Sequence, residues 1–181
     1  MGEKAVRSGV PVQGAPSARH LRREAMSSTA NSVHSGLRTT AIPYLCTRDA
    51  GRALEFYKNA FGATEAMAPM TDPSGKIMHA EIKIGDALIM FADEFPDMGF
   101  LSPQALGGSS VTVVMRVEDV DTFADRAVAA GAKLCAPVED QFYGERMGKL
   151  IDPFGHVWMI STPTEEVTPE ELHKRFAALY G

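Results

Sequence analysis

The sequence predicts one α+β domain made of two copies of a βαβββ module. Three observations lead there. A strand-like run followed by a helical period and a glycine stop occurs twice. Three further strand-like runs with turn signals follow each helix. A length of 181 residues suits one domain, able to bury roughly two-thirds of its unfolded surface around a single core.

In the first copy, Ala41–Thr47 reads as a strand, Asp49 precedes a helix over Gly51–Ala60, and Ala53, Leu54, Phe56, Tyr57 and Ala60 fall at helical spacing before Phe61-Gly62-Ala63. In the second, Val111–Val117 is the strand, Glu118-Asp119 the acidic pair, and Val120, Phe123, Ala127 and Val128 the helical stripe before Ala130-Gly131-Ala132. Asp49 stands as far before Gly62 as Glu118 before Gly131, which predicts helices of equal reach, each with an acid at its positive end. The remaining strands are expected at residues 64–71, 77–84 and 87–92, with turns at Asp72-Pro73-Ser74-Gly75 and Gly85-Asp86. Their counterparts are residues 133–138, 146–151 and 157–161, with a turn at Asp152-Pro153-Phe154-Gly155. The modules span about 40–93 and 110–162, joined by a Pro- and Gly-rich linker over 94–109. Residues 164–181 end in a helix: Thr168 is its cap, Pro169 its first residue, Glu171 completes the capping box, and Leu172, Phe176 and Leu179 make its apolar stripe.

Composition removes several function classes. With 18 basic and 23 acidic residues the net charge is −5, so no cationic field exists to hold nucleic acid or an anionic membrane. The longest apolar runs are far shorter than the ~20 residues of a membrane span. Two cysteines, Cys46 and Cys135, without a secretory signal fit reduced thiols in the cytoplasm. Residues 1–38 hold scattered Arg, Ser, Gly and Pro with no apolar period and read as a disordered tail. An organellar transit peptide, or translation starting at Met26, accounts for this stretch equally well.

The string Asp152-Pro153-Phe154-Gly155-His156-Val157-Trp158, the paired modules, Pro43-Tyr44-Leu45 and Phe56-Tyr57 resemble the PhnB-like branch of the vicinal oxygen chelate superfamily, which includes glyoxalases, bleomycin-resistance proteins and extradiol dioxygenases. The resemblance covers residues 39–163. It implies two sheets curled into a cup around a ligand, helices outside, and a homodimer. Metal-dependent members carry His, Gln or Glu at cup-facing positions that fall here at Ile42, Met90, Thr112 and Met159, none of them a hard-metal donor. The usual metal site is therefore expected to be absent, and with it the reactions that need the ion to polarise a substrate oxygen.

Other residues supply candidates. His79 and Glu81 are two apart on a strand and share a face, as a general acid/base pair or as ligands of a displaced transition metal; an ordinary polar strand face accounts for them as well. Tyr44, Met90, Thr112 and Met159 are expected to line the cup; Cys46 shares the face of Ile42 and Tyr44 and reads as a packed thiol, since no activating base or cation is legible beside it. Arg116, and Arg146 beside Phe142-Tyr143-Gly144, offer cations and an aromatic ring to an anionic or aromatic ligand. The alternative is internal pairing, Arg116 with Glu118 or Asp119 and Arg146 with Glu145 or Asp152. His156 is expected to satisfy its own turn, and Trp158 to pack under a helix. Two functions stay open: a small-molecule-binding protein without a cofactor, like the antibiotic-sequestering members, or an isomerase, lyase or oxygenase using His79 and Glu81. No glycine-rich element for a methyl donor, phosphate loop or nucleophile elbow is present.

Overall fold

Residues 41–181 are described by a computed structural model. The readings of residues 1–38 and of Met26 lie outside the described residues. The first module runs β1 (Tyr44–Thr47), α1 (Ala50–Phe61), β2 (Thr64–Thr71), β3 (Ile77–Ile84) and β4 (Ala87–Asp93). A 3-10 turn (Pro96–Met98) and a short helix α2 (Pro103–Leu106) occupy the linker. The second module runs β5 (Thr112–Arg116), α3 (Val120–Ala129), β6 (Lys133–Asp140), β7 (Glu145–Ile151) and β8 (Val157–Pro163), and α4 (Pro169–Tyr180) follows.

The repeat is realised strand for strand. One sheet has the order β1-β4-β3-β2 and the other β5-β8-β7-β6. In each, the first strand lies parallel to the last and the other pairings are antiparallel. The two helices differ more than their spacing predicts. Asp49 caps α1 by accepting from the Arg52 amide at 2.9 Å, but the cap of α3 is Asp119, accepting from Thr122, and not Glu118. Aspartate is the better N-cap because its shorter side chain reaches the first-turn amides. This later start takes one residue from α3 and an earlier stop at Ala129 takes another, leaving 10 residues against 12 in α1. Its buried face is Val120, Phe123, Ala124 and Ala127, whereas Val128, expected in the stripe, is exposed.

Both helices pack on one face of their sheets and against each other, and aromatic rings fill the join. Phe61 stacks on Phe123 at 5.3 Å and meets the edge of Trp158 at 4.9 Å, while Tyr57 contacts Phe91, Phe154 and Trp158. Trp158 lies under the helices, as its alternation predicts. Strand alternation leaves the opposite face of each sheet open. In β5, Val113 and Met115 pack on the core, while Thr112, Val114 and Arg116 are exposed.

The Asp-Pro-Phe-Gly-His-x-Trp turn is a structural knot. The buried Asp152 carboxylate accepts from the Tyr57 hydroxyl (2.8 Å), the Trp158 indole (3.0 Å) and the amides of Phe154 and His156 (both 2.9 Å), and the His156 ring lies 3.2 Å away. His156 thus binds a carboxylate through its ring, where backbone groups were expected. Gly155 takes a positive φ of 91°, which closes the turn without side-chain strain.

At the C-terminus the Thr168 hydroxyl accepts from the Glu171 amide at 3.2 Å. The other half of the expected capping box does not form, because the Glu171 carboxylate is drawn to Arg175 and Lys174. The stripe of α4 is only partly covered: Phe176 meets Phe142 at 6.0 Å, yet Phe176 and Leu179 are exposed.

Candidate ligand-binding cleft

A cleft of about 900 Å³ opens between the first strands of the two modules. Residues 41–46 form one wall and residues 108–114 the other, with Phe100, Leu101, Pro103 and Leu106 of the linker as a lip and His156 behind. The volume is that of a drug-sized ligand site, and such sites are mostly apolar with a few placed polar groups. Two expected residues, Tyr44 and Thr112, stand on opposite walls. Phe100 and Leu106 were not among the expected site residues, since the Pro- and Gly-rich linker reads as a connection. The signal that could have found them is the presence of Phe and Leu in a segment where turn residues would suffice.

On the open face of the first sheet, pairing places Tyr44 beside Met90 and Met90 beside Glu81. His79 lies two residues before Glu81 on β3, where it pairs with Met70 of β2. Tyr44 reaches across β4 to it: the Tyr44 hydroxyl lies 3.0 Å from Nδ1 of His79, and Nε2 of His79 lies 3.0 Å from the Glu81 carboxylate. The Tyr44 ring also meets Phe100 edge-on at 5.7 Å. Burial, the Cys46 thiol and the Glu81 carboxylate together raise the Tyr44 phenol above its ordinary range. Cys46 is buried, and its thiol is pushed up to about 11 by burial and by Glu94 and Asp93, so it packs as a neutral thiol.

Apart from Thr112, the expected residues of the second module do not gather at the cleft. Met159 sits in the middle of its open sheet face, between Val114 and Lys149. Arg116, at the far end of β5, directs Nε and Nη2 to one oxygen of Glu145 at 3.1 and 2.9 Å, a partner different from the expected Glu118 or Asp119. Tyr143 stands near Glu145; burial and that carboxylate raise its phenol. Arg146 has the alternation of Gly148 and Leu150, both buried on the helix side, and its guanidinium is held by Asp121 (2.7 and 2.9 Å) and Asp140 (3.2 Å). Its partners are thus carboxylates other than the expected Glu145 or Asp152.

The residues at the family's metal positions do not fit a metal. The rows that pair across the parallel strands are Tyr44 with Met90 and Val114 with Met159, two residues along from the expected Ile42 and Thr112 on the same faces. Thioether, aliphatic and phenol groups make no hard-metal donor set. Among the described residues, no group of three or more His, Cys, Asp or Glu is placed to hold a metal ion.

Comparison with known proteins places this arrangement. The sequence pattern of the Glyoxalase/Bleomycin resistance protein/Dioxygenase superfamily matches residues 36–160. An uncharacterized protein of Mycobacterium bovis is 39% identical over 133 residues, covering 72% of this chain and 87% of that protein. An uncharacterized Arabidopsis thaliana protein is 29% identical over 126 residues, covering 66% of this chain and 75% of its own. Among solved structures, TioX from Micromonospora sp. ML1 superposes with a TM-score of 0.53 at 26% identity, covering 72% of this chain and all of that one. The fosfomycin resistance protein FosX from Listeria monocytogenes, solved with Mn(II) and sulfate, has a TM-score of 0.54 at 18% identity over 77% of this chain and 98% of its own, a likeness of fold alone.

Proposed function

Because this chain belongs to the Glyoxalase/Bleomycin resistance protein/Dioxygenase superfamily, we propose that it is a small-molecule-binding protein of the PhnB-like branch, acting in the cytoplasm without the superfamily's usual metal. The observation that carries this reading is the mostly apolar cleft between β1 and β5, in which Tyr44, Thr112, Ser109, Ser110 and His156 supply polar groups among aliphatic and aromatic side chains. Such a lining favours flat, largely apolar ligands with one or two hydrogen-bonding groups. Among the described residues, no helix is long and apolar enough to cross a membrane.

A thermal-shift screen of aromatic small molecules against the full chain tests the reading. Several flat apolar compounds should raise the midpoint. Thr112→Trp, which fills the cleft from an exposed strand position, should abolish their shifts while leaving the unliganded midpoint within a few degrees. Shifts that survive this substitution would place the site elsewhere.

The open sheet faces favour a homodimer. Val114 is 62% exposed in the middle of β5, and Tyr44 is 46% exposed on β1. Exposed apolar side chains on the open faces of edge strands invite a cover, and a two-fold symmetric copy is the commonest one. Sedimentation at micromolar concentration should give a dimer, which Val114→Lys weakens. A monomer at that concentration would count against the pairing.

A further inference from the structure

We infer that Tyr44, His79 and Glu81 form a proton relay that takes the proton of a weakly acidic, flat ligand of the phenol, enol or imide class held in the cleft between β1 and β5. The inference rests on reading that cleft as the binding site and adds what the site does to its occupant.

The direction of the relay follows from the donors and acceptors. An ionised carboxylate only accepts, so the ring nitrogen facing Glu81, Nε2, carries a hydrogen. In the neutral ring Nδ1 is then an acceptor, and the hydroxyl 3.0 Å from it is that of Tyr44. The alternative acceptor for that hydroxyl, the Met78 carbonyl, is longer at 3.4 Å. With its hydrogen turned toward His79, the Tyr44 oxygen keeps its lone pairs for an incoming donor, and Tyr44 is both half-exposed and one of the residues lining the cleft.

A ligand X–H reaching that oxygen can give up its proton in a balanced step. The X–H bond breaks as a new O–H bond forms on Tyr44, and the original Tyr44 proton moves to Nδ1 of His79. The neutral ligand and neutral imidazole become an X anion and an imidazolium, and the imidazolium is compensated by Glu81 at 3.0 Å. The Tyr44 hydroxyl now points outward and donates to the anion it has produced. One side chain thus accepts from the acid and donates to its conjugate base. The raised phenol suits this role, since Tyr44 keeps a proton in both states and conducts the charge without storing it. His79 and Glu81 are largely shielded, with 24% and 13% of their side chains exposed, so the ion pair forms away from bulk water, where its attraction is stronger.

The probes are 4-nitrophenol, whose anion absorbs visible light and whose neutral form does not, and nitrobenzene, which has the same ring without the acidic group. Both are titrated into the full chain at a pH where free 4-nitrophenol is mostly protonated. The expected result is the anion band on binding, with no proton released to the buffer by calorimetry in two buffers of different ionisation enthalpy. His79→Gln should remove the band and weaken 4-nitrophenol at least about tenfold, the scale of one hydrogen bond to a charged group, while weakening nitrobenzene far less. Nitrogen NMR should find hydrogen on Nε2 of His79 in the free protein. Binding of 4-nitrophenol in its neutral form, equal loss of both probes in His79→Gln, or hydrogen on Nδ1 alone would each overturn the relay and leave the cleft intact. Failure of both probes to bind would overturn the cleft reading and the relay with it.

Discussion

Replacing Asp152 with alanine is expected to destabilise the protein by ~3–5 kcal/mol, the range for stripping the partner from buried charge-bound donors, and to lower its unfolding midpoint by about 10 °C. The Tyr57 hydroxyl, the Trp158 indole and the amides of Phe154 and His156 would lose their acceptor inside the core. Each stranded donor costs ~1–3 kcal/mol, and the costs do not add in full because the donors share one site. The carboxyl also sets a pH dependence. Burial alone would raise it, but the His156 ring, the Trp158 indole and the His156 amide outweigh burial and hold it below the usual carboxylate range. A folded value below the unfolded one means that the contribution is complete above the ordinary carboxylate range and drains away as pH falls toward the depressed value. Thermal unfolding across acid pH should therefore show a shallower acid slope for Asp152→Ala than for the parent. A midpoint within a degree or two of the parent would show that the donors find other partners.

Phe61→Ala is expected to cost ~3–5 kcal/mol, as for other fully buried aromatics cut to a methyl group. Its ring contacts Phe56 and Tyr57 in its own module and Phe123 and Trp158 in the other, so the cavity would open at the join. Trp158 is the single tryptophan of the chain, and its fluorescence reports on this site. The emission should shift to the red in Phe61→Ala and much less in Phe61→Leu, which keeps most of the volume. A lower denaturant slope in the alanine variant would show that the modules no longer unfold together. An unchanged spectrum with parental stability would mean that the rings close over the gap.

The fold was legible because it rests on local signals that occur twice: Asp49 and the Glu118-Asp119 pair before helical stripes, Gly62 and Gly131 after them, and Asp-Pro-x-Gly turns between strands. Family likeness came from the turn at Asp152, whose residues serve the core. The site was less legible because strand alternation gives the face of a residue but not its row or its partners. Alternation put His79, Glu81 and Tyr44 on plausible faces, yet their contact depends on β1 and β3 both flanking β4, a strand order that alternation does not reveal. It also grouped Arg116 with Thr112, although the two lie at opposite ends of a five-residue strand, and it gave no warning that Asp121 and Asp140 hold Arg146. Ion-pair partners come from segments far apart in sequence, and spacing within one strand carries no record of them.

If the cleft holds a ligand as proposed, the sheet orders bear on how that ligand is recognised. In both sheets the strand bordering the cleft, β1 or β5, is an edge, and among the described residues no further strand pairs with it. Each therefore offers the cleft a row of main-chain amides and carbonyls on the side away from its neighbour. These groups are the same whatever side chains the strand carries. Relatives could exchange one apolar wall residue for another, and so change the shape of molecule admitted, while the polar anchor points along the two borders keep their spacing. Ligand choice can drift through the side chains while the backbone keeps a common way of holding.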